Sequence, residues 1–336
     1  MIRQPTLHKQ QGVTLLILAV IMILAFATFA VSKLSINDVK IKKVIKTQAV
    51  LKEAKEALIA YVMSYPELKV SSTVRGPGYF PCPDLADVNG VLDGKSQSGC
   101  NPAGVVIPGH YPWKTIGSLD FKDTANESLW YAVSETFDNT GNPPPDVINV
   151  DTVGSISLRK NDGSLKNNAT TNTGIVAIII APGKALTRLD GYTQNRNGDP
   201  NNAVDYLDIK NGEDNAVFTH NSEQGFIQGD FQLDTNNVGF NDEIIAITYN
   251  DIMPLIQKRV AAQMKKAIID FRANCNVYPE PVVNKLPVDA PQWSGTGCAT
   301  GRLPEWIKKE GWQNYYRYTK PAPTNTSCDD NCIQAL

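Results

Sequence analysis

The residues with the clearest chemical pattern lie in one short stretch, NGVLDGKS, Asn89 to Ser96. It ends in Gly-Lys-Ser, like a phosphate-binding loop whose backbone N–H groups cradle an anion. Such a loop needs glycine at its first position, where Asn89 stands, and Gly90 is one residue too close. No buried strand precedes the stretch and no strong helix follows it, so it reads as an exposed turn and not as a nucleotide site. The overlapping run DLADVNGVLDG places Asp84, Asp87, Asn89 and Asp93 as an incomplete calcium set. Hard cations take ~6–8 oxygen ligands, and Ser96 stands where a closing acid would be needed. A second acidic set, Asp199, Asp205, Asp208, Glu213 and Asp214, lies in a long polar connection. Solvated surface carboxylates are the competing reading in both places.

Nucleophilic and zinc chemistry find little support. No Gly-x-Ser-x-Gly elbow and no His-Glu-x-x-His pattern occurs. His8, His110 and His220 are scattered, and His110 in PGHYPW reads as a loop histidine beside Tyr111 and Trp113. Trp113, Trp130, Trp293, Trp306 and Trp312 suit a core or an interface as well as a ligand platform. The chain is therefore read as non-enzymatic, with no cofactor. The formal net charge of -2 gives no reason to expect nucleic acid as a partner.

The six cysteines are even in number, all follow residue 81, and neighbouring ones fall in Pro/Gly-rich loops. Disulfides Cys82–Cys100, Cys275–Cys298 and Cys328–Cys332 in an exported body are the simplest reading. With no Cys-x-x-Cys, a zinc site is disfavoured.

The elements that hold these residues begin with an apolar run. Val13 to Val31 carries no charged residue. As a helix it covers roughly 28 Å, close to the ~30 Å hydrocarbon core, and it exceeds the ~7–15 residues of a cleavable signal's apolar core. Residues 13–31 are therefore expected to cross a membrane. The flank with Arg3, His8 and Lys9 suits a cytoplasmic N-terminus, although Lys33, Lys40, Lys42 and Lys43 on the far side weaken that bias. Helical pattern continues to residue 65. Leu51, Ala54, Leu58, Val62 and Tyr65 form one face, Lys52, Glu53, Lys55 and Glu56 the solvated side, and Pro66 the stop.

Residues 66–250 alternate turns with strand-like runs: LWYAVSETF, GSISLR, GIVAIIIAPG, AVFTH and DEIIAITYND. GIVAIIIA is apolar on both faces, which predicts a central strand. Asn250 or Asp251 could cap a second helix with Pro254 in its first turn, and Leu255, Ile256, Val260, Met264, Ala267, Ile268 and Phe271 give its apolar face. This helix leads a subdomain over 251–336. Helix, Tyr-Pro-Glu, cysteine loop, Gly-x-x-Pro near a Trp and paired aromatics occur in the same order in both segments. That order reads as a degenerate internal duplication.

A short basic leader ending in Gly12, followed directly by an apolar helix that enters a soluble head, resembles the type IV pilins and type II secretion pseudopilins. GVTLLILAVIMIL takes the place of the usual Gly-Phe-Thr-Leu-Ile-Glu. The head elements YFPCPD, YPW, LWYAVS and IIIAPG are similar to those of pilin-like proteins of Gram-negative bacteria. The resemblance implies a leader over 1–12, cut by a prepilin peptidase between Gly12 and Val13, and methylation of the new terminus. It implies a long helix over 13–65 that assembles with other pilins or pseudopilins through Leu15, Ile17, Val20 and Leu24. The expected fold is α+β: a long N-terminal transmembrane helix packed on an antiparallel-sheet head, with the second helix-led subdomain. The expected location is the bacterial inner membrane, single-pass and in contact with its lipid, with the head in the periplasm or at a filament tip or cell surface. Most members carry Glu where this chain has Ile17, a carboxylate that neutralises a neighbour's buried terminal amine. Its absence and the large head fit a minor subunit that primes or caps a filament. The alternative is a membrane-anchored periplasmic adhesin or binding protein that borrowed the anchor.

Overall fold

The 3-to-4 spacing of Leu51, Ala54, Leu58 and Val62 does form a helix. In the computed structural model, α1 runs Gln11–Met63, and Leu51, Ala54, Leu58 and Val62 are each fully buried. The amide of Ser64 bonds to the carbonyls of both Ala60 and Tyr61, which tightens the last turn, and a short helix Tyr65–Leu68 carries Pro66 in its first turn.

The structure describes residues 11–68, 75–85, 92–97, 99–100, 105–139, 147–169, 173–219, 225–287, 293, 302–322, 328 and 332–336. Within these, the side chains of 11–16, 27–40, 68, 105, 218 and 219 are not described.

The transmembrane expectation is overturned. No helix, over its described residues, is long and apolar enough to cross a membrane. Further along α1, Lys42, Lys43 and Lys46 follow. The fold is α+β with mostly antiparallel sheets, and with no membrane-spanning helix among the described residues the expected N-terminal transmembrane helix and single-pass inner-membrane placement are corrected.

The chain divides into two compact units, Met1–Thr47 and Gln48–Leu336. The larger is built on a four-stranded antiparallel sheet. Its strands are β1 (Gly109–His110), β2 (Trp130–Val133), β3 (Ile175–Ala181) and β4 (Glu243–Thr248), in the order β4-β3-β2-β1. Every residue of β3 is buried, as its two-faced apolar pattern requires. Register pairs Ile180 with Ile244 on one side and with Trp130 on the other.

Alternation splits these strands between two cores. Tyr131, Val133, Ile179 and Ala181 point to a large core that also holds Leu51, Leu58 and Val62 of α1. Trp130, Ala132, Ile178 and Ile180 point to a smaller one with Ile156, Leu158, Leu207 and Phe226. The second long helix, α2, spans Tyr249–Cys275 and enters the large core with Ile252, Met253, Ile256, Val260, Met264, Ile268 and Phe271. Leu255, expected on that face, is 43% exposed, because Ile252 and Met253 take the inward positions. Thr248 is the N-cap, and Asp251 reaches back to its amide at 2.7 Å. Residues 66–250 and 251–336 share this one core, which also includes Trp306, Trp312 and Tyr316.

Candidate functional site

The phosphate-like and calcium-like stretch is partly described. Asp87, Asn89 and Gly90 lie outside the described residues. Asp84 is buried, exchanges backbone bonds with His110, and accepts the Gly94 amide at 2.8 Å. Burial pushes its carboxyl up to about 6, against the pull of that amide. Asp93 instead closes its own turn on the amide and ammonium of Lys95. Gly94 has φ +79°, and a Cβ there would sit 2.5 Å from the Trp113 indole nitrogen. Only glycine admits the ring so close.

Behind this turn is a cavity of about 170 Å3 lined by Asp84, Gly94, His110, Trp113, Lys114 and Lys122, among others. Lys122 is occupied by Asp120 and Ser128, and Lys114 lies over the Trp113 ring. His110 stacks 4.3 Å from Trp130 and donates through Nε2 to the Pro200 carbonyl at 2.8 Å, since a carbonyl can only accept. Burial lowers its pKa against the pull of the Pro200 carbonyl. This histidine is a packed, satisfied one. His220 lies outside the described residues.

The second acidic set does not face solvent together. Asp205 accepts Tyr192, Asn195 and Asn202. Glu213 takes the Gly225 amide and Arg159. Asp214 pairs with the buried Arg188 at 2.6 Å, and Asp199 caps its own turn at Asn201. Asp208 accepts Gln194 and the Asn241 amide, while its own amide donates to Asp242. Asp199 and Asp205 fasten the connection to itself, while Asp208, Glu213 and Asp214 tie it to Asn241 just before β4, to the strand Leu158–Arg159 and to Arg188. Among the described residues, no group of three or more His, Cys, Asp or Glu could hold a metal ion. Asp242, Asn215 and Arg188 were not singled out in the sequence. The only available signal was an Asn-Asp pair placed immediately before a strongly apolar strand.

The cysteine expectations stand for two pairs, Cys82–Cys100 and Cys328–Cys332. Cys275 is disulfide-bonded, and Cys298 lies outside the described residues.

The processing and assembly residues sit at the start of α1. Gly12 and Val13 are in its first turn; their side chains and that of Leu15 are not described. Ile17, Val20 and Leu24 are 51%, 46% and 60% exposed, and Leu18, Ile21, Met22, Ile23 and Phe26 are exposed with them. At 100° per residue these positions cover every side of the helix.

Comparison with protein-family models, with curated proteins and with solved structures finds no match for this chain.

Proposed function

We propose that the chain is a non-enzymatic, pilin-like assembly subunit. It would act as a minor pilin or pseudopilin-like component of a type IV pilus or type II secretion machine, in filament assembly, priming or tip capping. The observation that carries this reading is the exposed, all-round apolar run over 17–26 of α1. A helix apolar on every side needs cover on every side, and a bundle of like helices provides it. Burying one such Leu or Ile side chain is worth about 1.5–3 kcal/mol, so several together can drive association. Ile17, in the place of the family's Glu, disfavours a major repeating role.

The test has two parts. Mass spectrometry of the mature N-terminus, with and without a prepilin peptidase, should find Val13 first only when the peptidase is present. Leu24→Asp should abolish co-purification with pilin-like subunits while leaving the body folded. A Met1 terminus in the presence of peptidase, together with unchanged co-purification of Leu24→Asp, overturns the reading.

A further inference from the structure

Three segments of the body converge on one carboxamide. Asn161 lies in the turn after the strand Leu158–Arg159, Lys210 ends the strand Ile209–Lys210, and Asp230 follows the strand Phe226–Ile227. Lys210 is 8% exposed, with its Nζ 5.4 Å from the centre of the Phe240 ring. Its Nζ donates to Oδ1 of Asn161 at 2.5 Å. The same Oδ1 accepts the backbone N–H of Asp230 at 3.0 Å. On the other side of the amide, Nδ2 of Asn161 donates to Oδ2 of Asp230 at 2.9 Å. These partners fix the amide's orientation, because N–H donors can meet only its oxygen and a carboxylate only its nitrogen. The Asn161 backbone is itself held, its carbonyl accepting Asn211 Nδ2 at 3.0 Å.

An amine, a polarised carbonyl and an acid on the leaving nitrogen are the parts of an acyl transfer. We propose that Lys210 and Asn161 form an intramolecular isopeptide bond. Nζ, after giving its ammonium proton to bulk water, attacks Cγ of Asn161, and the developing charge on Oδ1 is met by the Asp230 amide. The Cγ–Nδ2 bond breaks. Solvent at the exposed Asn161 takes the proton shed by Nζ, and Asp230, hydrogen-bonded to Nδ2, passes one from solvent to it, so that Nδ2 leaves as ammonia with its own two hydrogens and that third one. Amine and carboxamide become a secondary amide and ammonia, so no oxidant or co-reactant is needed. Holding both groups in contact replaces a bimolecular encounter, the usual obstacle to amide aminolysis. Asn161 is exposed, so ammonia escapes to solvent and reversal is suppressed. The bond would close a loop of 49 residues that contains β3, clasping the centre of the sheet.

The test is the intact mass of the purified full chain, followed by peptide mapping. The expected result is a chain lighter by one ammonia, with no tryptic cleavage at Lys210 and a branched peptide joining the Asn161 and Lys210 segments. Lys210→Arg should restore the sequence mass. Asp230→Ala should slow linkage at least about a hundred-fold, the lower end for loss of a proton-transfer group. Circular dichroism of both variants checks that the body is folded. A wild-type chain at sequence mass with two separate peptides overturns the proposal. So does a loss of ammonia without a branched peptide, which would be a succinimide at Asn161–Asp162.

Discussion

Lys55 and Asp251 form an ion pair at 3.0 Å that ties α1 to the first turn of α2. Lys55 also donates to the Ala246 carbonyl of β4 at 2.9 Å, so one ammonium joins both long helices and the edge of the sheet. Asp251 meanwhile holds the amide and hydroxyl of Thr248. Asp251→Ala should cost about 0.5–2 kcal/mol in urea unfolding through loss of its capping-box bonds to Thr248. Burial pushes the Asp251 carboxyl up, but its bonds to Thr248 and Lys55 outweigh this and hold it below its ordinary value. Its contribution is therefore present above the ordinary carboxylate range and is lost as pH falls through the depressed value. The difference between wild type and Asp251→Ala should shrink in acid. A constant difference down to pH 3 would contradict this assignment.

Glu310 joins the C-terminal segment to the loop after α1. It accepts the Gly76 amide at 2.8 Å, the Trp312 indole at 3.0 Å and the Tyr79 hydroxyl at 3.2 Å. Burial raises its carboxyl to about 7 despite these donors. A raised pKa means that the folded state holds the proton more tightly. The contribution is full below the ordinary glutamate value and is lost as pH rises through about 7. Glu310→Gln removes the titration, so the wild-type and variant stability curves should diverge between pH 5 and 8, with wild type falling faster. Parallel curves would show that Glu310 does not titrate in that range.

Much of the architecture was legible because it rests on periodicity. The α1 stripe and the central strand GIVAIIIA follow from local spacing, whereas the α2 cap, expected at Asn250 or Asp251, is Thr248, with Asp251 reaching back to it from the first turn. The span over 13–31 was read from an uncharged run alone, and no helix, over its described residues, is long and apolar enough to cross a membrane. The acid-rich connection was misread for a different reason. Asp205, Asp208 and Asp214 look solvated in sequence, yet their partners Tyr192, Asn241 and Arg188 are 13, 33 and 26 residues away. No local pattern announces such pairs. Lys55 was likewise placed on the solvated side, and only the return of β4 and α2 covers it.

The two described disulfides should differ in worth. Cys82–Cys100 closes a loop with a sequence separation of 18, and Cys328–Cys332 one with a separation of 4. Loop-closure entropy puts the first near ~3 kcal/mol and the second near ~2 kcal/mol. Replacing each pair by serine and measuring urea midpoints should show the larger drop for Cys82–Cys100. An equal or reversed order would mean that native contacts of the C-terminal hairpin Tyr316–Tyr318 and Ile333–Ala335 depend on the small ring.

Asp208 and Asp242 place two carboxyls in one buried network at the base of the sheet. Asp242 accepts the Asp208 amide at 2.8 Å and Asn215 Nδ2 at 2.9 Å, and its other oxygen has no partner among the described residues. Arg188 and Arg196 are the cations acting on Asp208, and Arg196 acts on Asp242 as well. Burial raises both carboxyls, Asp208 to about 6 and Asp242 further, and each discourages ionisation of the other. Their contribution is thus greatest in acid and falls as pH rises through about 6. Asp242→Asn keeps an oxygen for the Asp208 amide and removes one of two like charges. It should be near neutral at pH 5 and stabilising by roughly 1 kcal/mol at pH 8. Asp242→Ala should instead cost about 1–3 kcal/mol at either pH, because it strands buried donors. Thermal unfolding of the two variants at both pH values decides the matter. An Asn variant equally destabilised at pH 5 and 8 would mean that the pair stays ionised and that the arginines hold it.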